Sequence, residues 1–222
     1  MPIEFLIFLT VFTPALVGGL NLIFNKNPNV RDTVTLLGAL ITFYFSANIF
    51  LGFDGQATQY KLATIMPGID ISFHIEPLGI IFSLLASGLW ILTHIYAIGY
   101  MRGAKEKNHS RFFFFFSVSI ASVMGISFSG NLFTLFLFYE ILTLITFPLV
   151  SHKGSNEALR GARVYLSILL GTSIGLQLLG IIWIYFSVGT LDFVKGGILN
   201  GSFGSLELSL IHISEPTRPL YI

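Results

Sequence analysis

Glu140 is the residue in this sequence best placed to do chemistry. It lies between Leu135-Phe-Leu-Phe-Tyr139 and Ile141-Leu-Thr-Leu-Ile145, so its carboxyl group has about five uncharged residues on either side. In the middle of an apolar span an unpaired charge costs roughly 2.5 to 3.5 kcal/mol on insertion scales, and such a group faces a bundle interior or water. Burial favours a neutral acid and a neighbouring cation favours a carboxylate; a group held between the two can load and release a proton. An interhelical hydrogen bond that never titrates is the alternative role. Thr143, one turn along, is the nearest polar neighbour that helical spacing supplies. His94, between Leu-Thr and Ile-Tyr, carries an imidazole that ordinarily titrates near neutrality and is a candidate relay, the alternative being a buried, satisfied histidine. Arg160 and Arg163 open the last apolar run, either anchoring it or turning inward to tune a carboxylate. Pro148, eight residues beyond Glu140, frees a backbone carbonyl in the same element.

The elements that must hold these groups are membrane spans. Of the 222 residues, 54% are hydrophobic and 10% charged, against about 25% charged in an ordinary soluble domain. A crossing needs roughly 20 apolar residues. Runs that qualify occupy 5–25, 33–53, 77–101, 112–139 and 164–191. From 112 to 152 only Glu140 is charged and the stretch is too long for one crossing, but Ser129-Gly130-Asn131 supplies a tight turn, dividing it into helices near 112–128 and 132–150. The expectation is an all-α integral membrane protein with six transmembrane helices. The first run carries Glu4 in place of a basic leader and is expected to be a retained span.

Lys and Arg set the expected orientation. Lys26 and Arg31 follow helix 1, Arg102, Lys105, Lys107 and Arg111 follow helix 3, and Lys153, Arg160 and Arg163 follow helix 5. The loop between helices 2 and 3 has Lys61 against Asp54, Asp70 and Glu76. The N-terminus is therefore expected outside, with the basic loops in the cytoplasm of a bacterial inner membrane. Trp90, Tyr96 and Tyr100 read as interfacial anchors, and the run Phe112 to Phe116 as lipid-facing or packed bulk.

Other function classes lack their residues. There is no cysteine, so disulfides, thiolate metal sites and Cys-ligated clusters within the chain are excluded. His74, His109 and His152 lie in loops or at boundaries, leaving His94 without a second axial ligand for a haem. Twelve basic and eleven acidic residues argue against a nucleic-acid partner. No cofactor and no metal site is expected in this chain.

The segment His94-Ile-Tyr-Ala-Ile-Gly-Tyr-Met-Arg-Gly103 resembles the end of the third helix in the antiporter-like subunits of respiratory complex I and of the multisubunit cation/proton antiporters. Arg111-Phe-Phe, Asn131-Leu-Phe and Tyr139-Glu140 follow in that family's order and spacing, and Glu76-Pro-Leu78 stands where the family opens helix 3 with an acidic residue. The resemblance implies the N-terminal part of a roughly fourteen-helix fold, in which a glutamate at the centre of helix 5 pairs with a lysine on a broken helix 7. Glu140 matches the glutamate. The family places a basic residue directly before an aromatic early in helix 6, whereas here Val164 precedes Tyr165 and Arg163 stands one position sooner, a rotation of about 100° on a helix.

The resemblance implies proton translocation, with Na+ as a further ion in the antiporter branch, in a hetero-oligomeric complex with other membrane subunits and lipid as partners. It divides the chain into helices 1–3 over 1–110 and the start of a translocating domain over 111–207. Residues 208–222, including Ser214-Glu-Pro-Thr-Arg218, resemble the translation of a transposase adapter of sequencing libraries. They are expected to be a non-native tail, with the native protein continuing past Glu207, and His212, Glu215 and Arg218 are assigned no role. Two rivals remain open: a quinone-binding membrane oxidoreductase subunit, which would need redox ligands or a quinone pocket, and a non-conducting scaffold, which would lack mid-span ionisable groups.

Overall fold

A computed structural model describes residues 3–55, 59–194 and 197–198. Six helices in it are long and apolar enough to cross a membrane: α1 Ile3–Lys26, α2 Pro28–Gly52, α3 Pro77–Gly103, α4 His109–Ser127, α5 Leu132–Val150 and α6 Asn156–Val188. The expected count of spans is borne out. Pro28 and Pro77 occupy first helical positions, where the missing N–H removes no helical bond. Asn131 caps α5 by accepting from the Thr134 N–H at 2.7 Å, and Ser155 caps α6 by accepting from the Ala158 N–H at 3.1 Å. The Ser155 cap, rather than the end of the charge-free run, decides where α6 begins, so Arg160 and Arg163 lie within it. α4 also starts earlier than expected, at His109 and without a side-chain cap, and takes in Arg111. The 173–178 stretch of α6 is a π-helical segment, Ser173–Leu178.

The helices pack as a layered bundle: α4 touches α1, α3 and α5, α2 sits against α1 and α3, and α6 lies against α5. Without a hydrophobic drive between spans, close backbone approach decides the contacts. A side chain at Gly79 would collide with the Ser127 carbonyl of α4, and one at Gly38 with Val17 of α1. Ile7, Val11, Ile49, Ile75, Ile80, Met124 and Phe128 form the apolar core at one end of this bundle. Leu51, Leu78 and Phe186 lie on the outside, as residues facing lipid tails do.

That end of the bundle carries an element absent from the sequence expectation. Between α2 and α3 the chain forms an antiparallel hairpin, β1 Gln59–Met66 and β2 Ile69–His74, turning at Pro67 and Gly68. Gly68 has φ of +80°, which a glycine adopts without strain. The hairpin docks on the α4–α5 turn. Gly130 N–H donates to the Ser72 carbonyl at 2.8 Å, and His74 N–H to the Phe128 carbonyl at 2.7 Å. Asn131 Nδ2 donates to the Asp70 carbonyl at 2.7 Å, and the Tyr185 hydroxyl of α6 to the Pro67 carbonyl at 2.8 Å. The turn foreseen at Ser129-Gly130-Asn131 is thus also the hairpin's anchor.

Candidate functional site

Glu140 falls at the ninth position of the nineteen-residue α5. One of its oxygens, Oε1, is shut from solvent and accepts no hydrogen bond from any described residue. Thr143 is buried on the same helix, yet no hydrogen bond joins it to Glu140. A mid-span carboxyl group with a bare, enclosed oxygen leaves a polar atom that a further element or water must satisfy.

Beside it, α6 loosens. The π segment places one extra residue per hydrogen-bonded ring, a feature common at functional sites. Tyr139, the residue before Glu140, joins Thr172, Ser173, Leu176 and Gln177 in lining a hollow of about 410 Å³ between α5 and this segment. Sequence reasoning passed over this stretch; its signal was Thr172, Ser173 and Gln177 in an otherwise apolar run spaced by Gly171 and Gly175.

His94 is fully buried on α3. Its Nε2 lies 3.2 Å from the main-chain carbonyl of Asp32. A carbonyl only accepts, so the neutral ring carries its proton on Nε2 and leaves Nδ1 as an acceptor. That Nδ1 is enclosed and unpartnered among the described residues. The edge of the ring meets Phe113 of α4, with centroids 4.9 Å apart.

Sequence reasoning counted Arg31 as a loop charge and did not foresee what surrounds His94. Arg31 and Asp32 lie near the start of α2 and are both buried. Arg31 grips Asp32 Oδ1 through Nε and Nη2 at 2.8 and 2.7 Å, and Arg102 of α3 reaches Oδ2 at 2.5 Å. Arg31 also donates to the Ser110 hydroxyl of α4 at 3.2 Å, and its guanidinium lies over the Phe113 ring at 5.1 Å. One carboxylate between two guanidiniums therefore ties the basic ends of α2, α3 and α4 together, with His94 on the same residue's backbone. Trp90, expected at the interface, is instead 1% exposed, and its indole N–H has no hydrogen-bond partner among the described residues. It lies one turn from His94 on the inward face of α3, whereas Tyr96 and Tyr100 stay outside as expected.

The structure does not bring Arg163 to Glu140. Arg163 is exposed on α6 and forms no ion pair among the described residues; Ala162 is the buried residue of that turn. Arg160 is exposed as well. Nor do His94 and Glu140 meet directly, since they sit on α3 and α5 with α4 packed against both. No group of three or more His, Cys, Asp or Glu with metal-binding placement occurs among the described residues.

Two stretches match known family descriptions. Residues 66–113 match the N-terminus of NADH-ubiquinone oxidoreductase (complex I) chain 5, and residues 129–213 match the transmembrane region of the NADH:quinone oxidoreductase/Mrp antiporter family. The chain belongs to this family of antiporter-like membrane subunits. Within the antiporter-like family, it is 27% identical to the chloroplast NAD(P)H-quinone oxidoreductase subunit 5 of Ipomoea purpurea over 97% of this chain and 31% of that protein. It is 33% identical to the antiporter subunit mnhD2 of Staphylococcus epidermidis over 85% of this chain and 37% of that one, and 30% identical to Na(+)/H(+) antiporter subunit A1 of Staphylococcus aureus over 74% and 22%. The chain thus spans between 22% and 37% of the length of these relatives. A subunit of the membrane-bound sulfane sulfur reductase, an archaeal respiratory membrane complex, shares the fold with a TM-score of 0.70 at 20% identity, over 83% of this chain and 28% of that one. His94 and Arg102 fall inside the first family match, and Glu140 and Arg163 inside the second. The segment expected to be a non-native tail lies outside the described residues.

Proposed function

We propose that this antiporter-like chain loads protons on Glu140 as part of a subunit that moves protons, and in some complexes Na+, across a membrane. The observation that carries this reading is the enclosed, unpartnered Oε1 at the centre of α5. The π segment alongside offers a polar hollow from which water or a cation reaches the same depth. His94 serves as a second proton carrier in α3: its bare Nδ1 takes a proton while Nε2–H stays on the Asp32 carbonyl. Arg163, exposed on α6, is retained only as a residue that tunes the site once further elements pack against it. The chain binds no redox cofactor and works with other membrane subunits, in a bacterial inner membrane with its N-terminus outside.

The test uses the full-length protein in its assembled complex. Glu140→Gln keeps the shape and hydrogen bonding but removes titration, so proton pumping in vesicles should fail while subunit content by immunoblot is unchanged. Glu140→Asp retains the charge on a shorter arm and should pump in part. Wild-type pumping by an assembled Glu140→Gln variant would leave Glu140 as a packing residue.

A further inference from the structure

At the basic end of the bundle the α3–α4 and α5–α6 loops enclose a hollow of about 430 Å³ that the translocation reading does not use. Lys105, Lys107, Arg111 and Lys153 line it against one acid, Glu106. None of the four cations is in an ion pair among the described residues. The wall is ordered rather than a solvated tail. Glu106 N–H donates to the Met101 carbonyl at 3.1 Å, and a ring nitrogen of His109 meets the Glu106 carbonyl at 2.7 Å. Lys105 and Asn108 hold left-handed φ angles of 51° and 58° in the same turn.

His152 completes the hollow. Its ring packs edge-on against Phe112 with centroids 5.3 Å apart. Both ring nitrogens are shut from solvent and make no well-formed hydrogen bond within the described residues. Burial, and then Arg111, hold its pKa below that of an ordinary histidine, with Glu106 and the Lys107 backbone opposing. Four unneutralised cations and an unpartnered imidazole form a cradle for an anion.

The surface next to the hollow is apolar. A groove of about 370 Å³ adjoins this hollow and shares Arg111 and Gly154 with it; beyond Ser151 its walls are Phe115, Phe147, Pro148 and Leu159. Phe115 lies one helical turn, about 6 Å, deeper than Arg111, and Phe147 lies one turn inside the end of α5. Polar hollow and apolar groove thus succeed one another along the direction from the membrane surface to its interior. A small soluble anion would use only the first. An acidic segment of another subunit would leave the second empty.

We propose that this pair of cavities binds an anionic phospholipid, the phosphate among Lys105, Lys107, Arg111 and Lys153 and one acyl chain along Phe115, Phe147, Pro148 and Leu159. Basic pockets between helices at the positively charged face of membrane proteins bind such headgroups, and each Lys or Arg near the surface strengthens the attraction about fivefold.

Native mass spectrometry of the purified full-length protein tests it, with dioleoyl phosphatidylglycerol, dioleoyl phosphatidylethanolamine and inorganic phosphate as separate probes. Phosphatidylglycerol should be retained in preference to phosphatidylethanolamine. Lys107→Gln with Lys153→Gln should lower its retention about 25-fold at an unchanged size-exclusion profile. Leu159→Trp, which fills the groove without touching a charge, should weaken phosphatidylglycerol and leave inorganic phosphate unaffected. Equal retention of the two lipids, or phosphatidylglycerol binding indifferent to the lysine pair, would overturn the proposal. Insensitivity to Leu159→Trp combined with displacement by inorganic phosphate would overturn it in favour of a soluble anion.

Discussion

His94 Nε2 stands 3.2 Å from the main-chain carbonyl of Asp32, 62 residues earlier, so the imidazole of α3 is bound to the backbone of the residue whose side chain joins two arginines. Protonation of Nδ1 would place a third positive charge beside that carboxylate, coupling the ring to the ends of three helices.

The first prediction follows from the shape of this bond. Glutamine at position 94 offers an N–H to the Asp32 carbonyl but cannot titrate, so His94→Gln should assemble normally. Proton pumping should fall about 100-fold, the low end of what a positioned proton carrier contributes. Phenylalanine there would strand the carbonyl, and His94→Phe should reduce the amount of assembled protein. Normal pumping by His94→Gln would exclude the relay and keep only the tether.

The two arginines on Asp32 are not equivalent, and thermal unfolding should separate them. Arg31 is 3% exposed, whereas the Arg102 side chain is 44% exposed. Breaking a buried pair by removing one partner costs roughly 3–5 kcal/mol, and losing an exposed one about 0–1 kcal/mol. Arg31→Gln should therefore destabilise the purified protein severely, and Arg102→Gln only slightly. Equal effects would mean that Arg102 carries the junction.

What was readable in advance was whatever a helix writes along its own length. The bounds of α5 were legible because Asn131 and the glycine before it signal a turn, and Glu140 was legible because a lone charge in an apolar run needs no partner to be noticed. The Arg31–Asp32–Arg102 junction was not, since Arg102 stands 70 residues from Asp32 and each member resembles an ordinary interfacial charge. Trp90 could not be oriented because α3 is apolar on nearly every face, leaving no stripe to mark the inside. The hairpin escaped because β1 has two register irregularities and its exposed half lacks clean alternation.

Orientation rests on the Lys and Arg asymmetry, and cysteines report it directly. Cysteines introduced singly at Asn27, Asn108 and Ser155 should all resist a membrane-impermeant thiol reagent in intact cells and react after lysis. A cysteine at Gly68, on the hairpin turn, should react without lysis. The reverse pattern would invert the bundle.

Acid should loosen the hairpin. The hydrogen bond from Lys61, foremost, holds the Asp70 carboxyl below its ordinary 3.8. A depressed folded value means that the contribution is complete above pH 3.8 and is lost as pH falls below it. At neutral pH, Asp70→Asn should speed amide exchange across Gln59–His74 relative to wild type. The two proteins should converge once the pH is well below 3.8. A difference that persists there would assign the effect to packing rather than charge.

Asn131 does two jobs that aspartate and alanine distinguish. Its Oδ1 accepts from the Thr134 N–H at 2.7 Å, capping α5, while its Nδ2 donates to the Asp70 carbonyl at 2.7 Å and to the Ser72 hydroxyl at 2.9 Å, clamping the hairpin. Alanine loses both, for about 1 kcal/mol of cap and roughly 1–3 kcal/mol for the partners left unsatisfied. Aspartate caps a helix as well as asparagine does, but its second oxygen would face the Asp70 carbonyl, acceptor against acceptor, in a position only 2% exposed. If capping were the whole role, Asn131→Asp would unfold at the wild-type temperature. If the clamp matters, Asn131→Asp should be at least as unstable as Asn131→Ala, and amide exchange should rise in β2 before it rises in α5. That order of loss would place the hairpin, and not the helix terminus, as the element Asn131 secures.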